Sequence, residues 1–181
     1  MAFVFTVENG TGVVGANAYA LVTFVDDYFA GIGGDTVWTT SGGPQKQQAI
    51  VAATRYIEQR FSRYWIGTRG TEAQGLSWPR IGAFVDGFER NEEVPVEVKN
   101  ATAEYAVRAR VDPLVSDTPA TQGDVVEESV TVGPVSQSKR YAEGGSPPST
   151  SGLVPGDKIQ SYPAADMWLE PLLRLSGRSY R

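Results

Sequence analysis

The chain has 181 residues, 41% of them apolar, with a formal net charge of −5 and a sequence pI near 4.8. That length suits one ordinary domain with a core and room for an added arm, and the apolar share is that of a folded chain. Cysteine and histidine are both absent, which excludes disulfides, zinc fingers, Cys–His nucleophile pairs and Ser–His triads.

No stretch approaches the roughly 20 apolar residues of a membrane-spanning helix. The start, Met1 to Glu8, lacks the basic and long apolar regions of a signal peptide. The expectation is a soluble protein made in a cytosol, with no membrane partner and no cofactor. The acidic balance argues against a free-standing DNA binder, because phosphate neutralisation supplies most non-specific affinity. The isolated chain is therefore not expected to hold single-stranded DNA usefully at physiological salt. Its charges are segregated. Before Pro44 only Glu8, Asp26, Asp27 and Asp35 are charged, the middle holds Arg55, Arg60, Arg63, Arg69 and Arg80, and Arg174, Arg178 and Arg181 close the chain. Complementary subunit patches and ordinary surface scatter both account for this.

In chain order, Phe3–Val7 has strand composition and Glu8–Gly12 is a turn cluster. Thr23 is the expected N-cap of a helix carrying Phe24, Val25, Tyr28 and Phe29 and stopping at Gly31. Residues 31–44 are expected to be a loop around Trp38. A strong helix starts near Pro44, with Ile50, Ala53, Ile57 and Phe61 at helical intervals. An irregular stretch spans 67–93. A second strong helix starts at Pro95, carries Val98, Ala101, Tyr105 and Ala109 on one face, and ends before Pro113. Val125–Val135 has β character, with Val126, Val130 and Val132 inward and Lys139–Tyr141 completing a hairpin.

Residues 143–156 are rich in Gly, Ser and Pro and read as a linker. In the tail, Trp168, Leu169, Leu172, Leu173 and Leu175 form an apolar cluster, with Pro171 opening a helix after a turn at 164–169. The fold class is thus mainly α with a small β element (α+β): a helical bundle with a β-hairpin insertion and an extended C-terminal arm. Its parts are a helical core with N-terminal strand (1–115), the hairpin insertion (116–145), a flexible linker (146–162) and the arm (163–181).

Two motifs bear on function. Arg55, Tyr56, Arg60, Phe61, Arg63, Tyr64 and Trp65 interleave bases with aromatics, as a single-strand groove does. The same aromatics are the helix's best core residues, and Glu58 sits among them. The string Gln74-Gly75-Leu76-Ser77-Trp78-Pro79-Arg80 lies in a loop. Leu76 and Trp78 point the same way, and the Arg80 fork is suited to carbonyls or a carboxylate. Either the loop is pinned to its own core by Trp78, or it meets a neighbouring subunit through Trp and Arg anchors. Gly31–Gly34 lacks the Gly-Lys-Ser/Thr ending of a phosphate loop. The adjacent acid pairs Asp26-Asp27, Glu92-Glu93 and Glu127-Glu128 read as solvated surface.

The order of pieces resembles a known group. Asn17-Ala18-Tyr19, Asp27-Tyr28-Phe29, Gln47 to Ile57, Gly67-Thr68-Arg69, Gln74 to Arg80 and Val94 to Ala101 resemble phage and prophage proteins grouped as DnaT-like single-stranded-DNA-binding proteins. They are also similar to the head–tail connector (adaptor) proteins of long-tailed phages, over roughly residues 15–115. The connector resemblance implies a non-enzymatic virion protein at the head–tail neck, made in the host cytoplasm. It would form a ring of about twelve copies that binds the portal protein and the next neck or tail protein and passes genomic DNA. Portal-binding residues would be Trp168, Leu169, Leu172, Leu173, Arg174 and Arg178, on a tethered arm; the alternative is that this segment folds back onto the chain's own core as a closing helix. Subunit-interface residues would be Leu76, Trp78, Arg80, Tyr64 and Trp65. The DnaT-like resemblance implies instead a single-stranded-DNA-binding accessory protein. A carboxylate-dependent hydrolase is a remote third reading without a motif.

Overall fold

The computed structural model describes residues 3–90, 94–115 and 162–174, and the backbone alone of 127–132 and 135–140. The chain divides into two compact units, Met1–Leu114 with Gln160–Arg181, and Val115–Ile159. The architecture is mainly helical α+β, with antiparallel β-hairpins placed between helices in the chain.

In the larger unit, α1 spans Val22–Gly31, α2 Thr36–Thr40, α3 Gly43–Phe61 and α4 Val96–Val111. Pro44 stands in the first turn of α3, and the Gln45 side chain accepts from Gly42 N at 3.0 Å. Ile50, Ala53, Ile57 and Phe61 are buried as the periodicity predicts, together with Ala49, Thr54 and Tyr56. α4 buries Val98, Ala101, Thr102, Ala103, Tyr105 and Ala106 and packs on α3. Its small residues let the two backbones approach, and Tyr56 meets Tyr105 with ring centroids 4.9 Å apart. α4 ends at Val111, ahead of Pro113.

Three expectations are corrected at the N-terminal side. Helix α1 is capped at Leu21, without a side-chain bond, so Thr23 lies inside it. Asp26, one turn on, accepts from Trp38 Nε1 and from Lys46 Nζ, each at 2.7 Å. Residues 31–44 are not all loop: Asp35 accepts from Trp38 N at 2.8 Å and starts α2, whose Trp38 is buried. Phe3–Val7 forms no strand and makes only a parallel bridge, Val7 to Ala18. The Asn17 side chain takes the place of a partner strand, accepting from Thr6 N at 3.0 Å and donating to Val4 O at 2.7 Å.

The stretch after α3 holds four short strands. β1 (Thr68–Arg69) pairs with β2 (Arg80–Ile81), and β3 (Phe84–Val85) with β4 (Phe88–Glu89). The smaller unit contains β5 (Glu127–Val132) and β6 (Val135–Arg140), antiparallel from Glu127↔Arg140 to Val132↔Val135. Val135 therefore begins the second strand rather than ending the first. The side chains of Val126, Val130 and Val132, the linker before Tyr162, Leu175 and Arg178 lie outside the described residues.

The C-terminal segment departs most from expectation. Residues 163–169 form a helix, α5, with Pro163 in its first turn, and Pro171 lies inside a 3-10 turn at Glu170–Leu172. This segment is not extended. Ala165, Leu169 and Leu172 are fully buried, α5 packs on α4, and Leu173 bridges to Trp65. Ile66 N donates to Leu172 O at 3.0 Å. The closure has a polar lock: Arg60 donates twice to Asp166, at 2.9 Å each, and the Tyr105 hydroxyl donates to the same carboxylate. Leu169 and Leu172 would otherwise stand in water, and burying them in the chain's own core is worth roughly 1.5–3 kcal/mol per residue.

Tyr28 joins the same region, donating to Glu104 at 2.8 Å. Burial first, and then the Glu104 carboxylate, raise its hydroxyl to about 12. The unfolded chain releases this proton near the ordinary tyrosine value of about 10. The stabilising contribution is therefore complete below pH 10 and is lost progressively between about 10 and about 12. Urea unfolding across this range is expected to show falling stability above pH 10, with a shallower fall in Tyr28→Phe. An identical slope in the variant contradicts the assignment.

Candidate nucleic-acid interface

The loop from Gln74 to Arg80 is built by side chains that bond its backbone. Glu8, buried, accepts from Gly10 N and Gly12 N at 2.9 and 3.0 Å and from Val13 N at 2.8 Å, which folds the N-terminal turn. Gly75 seats against that turn: a Cβ there would stand 2.7 Å from Ala16 O, so only glycine fits. Gln74 accepts from Thr71 N at 2.8 Å and donates to Leu76 O and Pro79 O at 2.8 and 3.1 Å.

At the centre stands Tyr19, fully buried. Its hydroxyl donates to Glu58 and accepts from Ser77 N at 3.1 Å and Trp78 N at 3.3 Å. Ser77 Oγ donates to the other Glu58 oxygen at 2.7 Å. Burial and the neighbouring Glu58 hold the Tyr19 hydroxyl protonated well beyond its ordinary range. Leu76 and Trp78 are buried beneath the loop, and Trp78 packs edge-on to Trp65 with centroids 5.8 Å apart; the Trp78–Pro79 peptide bond is cis.

These supports bring three arginines together around Gly67. Arg80, buried, donates to Ile66 O at 2.7 Å, Gly67 O at 2.8 Å and Ser77 O at 3.2 Å. Arg174 donates to the same Gly67 O at 2.9 Å. Arg69, opposite Arg80 across the β1–β2 pair, donates to Gln74 O. Gly67 has φ +69°, and a Cβ there would lie 2.6 Å from Ile81 O and 2.8 Å from Ala83 N. Glycine is required.

All three guanidiniums are bonded to carbonyls. Among the described residues none of them has a carboxylate within ion-pair distance, whereas Lys46, Arg60, Arg90 and Arg108 each do. Carbonyls satisfy hydrogen bonds but leave the net charge uncompensated. Burial, then Arg174, with Arg69 adding, lower the Arg80 pKa; Tyr19 and Glu58 act against them. Arg69 and Arg174 are exposed. Along α3, Gln48, Arg55 and Gln59 are also exposed, spaced to share one stripe without an acid, and Arg63 is exposed just past its end.

The expected subunit-interface set is thus largely internal. Leu76, Trp78, Trp65 and Arg80 are buried in the chain's own core, and Tyr64 is half-buried. They build the loop instead of projecting from it. Of the expected portal-binding set, Leu169 and Leu172 are core, Leu173 is half-buried, and Arg174 belongs to the arginine cluster. Trp168, 39% exposed, stays at the surface. In the Arg55–Trp65 run, Tyr56, Phe61 and Trp65 are buried and cannot stack on bases, while Arg60 is held by Asp166. Tyr19, Glu58 and Asp166 were not legible as structural hubs, since nothing in their local sequence marks their partners. No group of three or more acids placed to hold a metal occurs among the described residues.

A family model described as "Putative DnaT-like ssDNA binding protein" matches residues 2–181. No curated protein and no solved structure matches the chain.

Proposed function

The chain belongs to this DnaT-like family, and from that premise we propose that it binds single-stranded DNA, by contact and without chemistry. The observation that carries the reading is a cluster of three arginines, Arg80 and Arg174 on the Gly67 carbonyl and Arg69 on the Gln74 carbonyl, that have no carboxylate partner among the described residues. A phosphate supplies the negative charge that the carbonyls do not. Arg80 sets the spacing from inside, and Arg69 and Arg174 present their guanidiniums to solvent. The net charge of −5 lowers affinity for nucleic acid at long range, but salt screens it beyond roughly 8 Å. A local cluster survives that screening.

Fluorescence anisotropy with an unstructured oligonucleotide, from low to physiological salt, tests this. Arg69→Ala and Arg174→Ala are each expected to weaken binding and to lower the salt slope by about 0.7, the value for one single-strand phosphate contact. Unchanged melting temperatures would confirm that the fold is intact. Full affinity and an unchanged slope in the double variant would rule the cluster out.

A second reading, a ring-forming head–tail connector subunit, draws on the quoted sequence strings and on the exposed Met167 and Trp168 of α5. Trp168 is a residue type favoured as an interface anchor. In this reading DNA passes the arginines without being read in sequence, and the partners are further copies, the portal and the next neck or tail protein. Negative-stain imaging of the purified chain, alone and with portal, is expected to show closed rings under this reading. Monomers that never bind portal would sink it.

A further inference from the structure

We propose that the β3–β4 hairpin is the base-stacking element of this site, with Phe84 and Phe88 receiving unpaired bases beside phosphates held at Arg69 and Arg174. This inference rests on the DNA-binding reading and specifies its ligand as an extended single strand rather than a duplex.

Phe84 and Phe88 are 59% and 72% exposed, and Ile81 just before them is 53% exposed. Three large apolar side chains this exposed within eight residues are open to a ligand. The hairpin is held firmly. Asp86 and Gly87 both have positive φ (52° and 83°), the combination that closes a two-residue hairpin. Val85 is buried beneath it, Arg90 N donates to Ala83 O at 2.7 Å, and Gly82 N donates to Glu89 at 3.0 Å. Arg90 also pairs with Glu97 on α4 at 3.4 Å. The hairpin is tied to the Gly67 site through Ala83, next to Phe84, which lies against Gly67.

Charge decides which part of a nucleic acid goes where. Asp86 and Glu89 are exposed on the hairpin and repel phosphate. The arginines on the β1–β2 side attract it. A strand lying across both would place its backbone on Arg69 and Arg174 and its uncharged base faces on the phenylalanines. Register puts Phe88 opposite Val85 and Phe84 opposite Glu89, so the two rings stand on opposite faces of the ribbon and take separate bases. In a duplex those faces are already stacked, and they must be unstacked before a side chain can reach them.

The test uses the full chain with three labelled probes of equal length: oligo(dT), an abasic strand and a duplex. Phe84→Ala and Phe88→Ala are each expected to weaken oligo(dT) binding about 5- to 150-fold, the span for one base–aromatic stack. Abasic-strand binding should not change, and Phe84→Tyr should restore oligo(dT) binding. Both side chains are exposed, so the variants should keep the wild-type melting temperature. The stacking proposal is overturned if oligo(dT) and abasic strands lose affinity equally, if oligo(dT) binding is untouched, or if the variants change only the oligomeric state. In each of those cases Arg69→Ala and Arg174→Ala can still weaken binding, and the DNA-binding reading survives. A wild-type chain that binds none of the probes overturns both.

Discussion

Arg80 is the residue on which the proposed interface depends. Its fork gathers the carbonyls of Ile66, Gly67 and Ser77, joining the end of the α3 connection to the loop that precedes β2. A guanidinium held this way fixes geometry in several directions at once, which a lysine's single point charge does not. The loop it organises is in turn held by Tyr19 and Glu58, so a tyrosine near the N-terminus and a glutamate on α3 set where Arg80 stands. Removing Tyr19 would leave the Ser77 and Trp78 N–H groups unpaired, and removing Glu58 would leave the Tyr19 and Ser77 hydroxyls without their acceptor, at about 1–3 kcal/mol per buried group.

The C-terminal segment completes what Arg80 begins. The return of α5 onto α4 buries Leu169 and Leu172, and the same return delivers Arg174 to the Gly67 carbonyl. Core closure and assembly of the positive cluster are therefore one event. The Arg60–Asp166 pair with Tyr105 secures it, and burial together with Asp166 raises the Tyr105 hydroxyl far above its ordinary range. Function and stability share residues here, which is why so few of the conspicuous aromatic side chains are left for partners.

Much of the architecture was legible in the sequence, and what escaped it has a consistent cause. α3 and α4 follow from a 3.6-residue apolar period and a proline at each start, both local signals. The β5–β6 hairpin follows from valine content between turn residues. By contrast, α2 depends on Trp38 reaching Asp26, and the N-terminal segment depends on Asn17 replacing a strand partner. For the Trp-Pro-Arg loop, the alternative in which Trp78 pins it to its own core is the one observed. The arginine cluster was hidden because Arg174 and Gly67 stand 107 residues apart, as Asp166 and Arg60 stand 106 apart. Net charge, a sum over the chain, says nothing about where, among the described residues, three arginines lack carboxylate partners.

The central claim is that single-stranded DNA meets this chain at the Gly67 arginine cluster. Amide chemical-shift mapping of the isotope-labelled chain, titrated with a short unstructured oligonucleotide at physiological salt, examines it directly. The account predicts saturable shifts concentrated at residues 66–69, 80–84 and 174, with the α1–α2 region unchanged. Shifts confined elsewhere, or none at all at oligonucleotide concentrations in large excess, would contradict it.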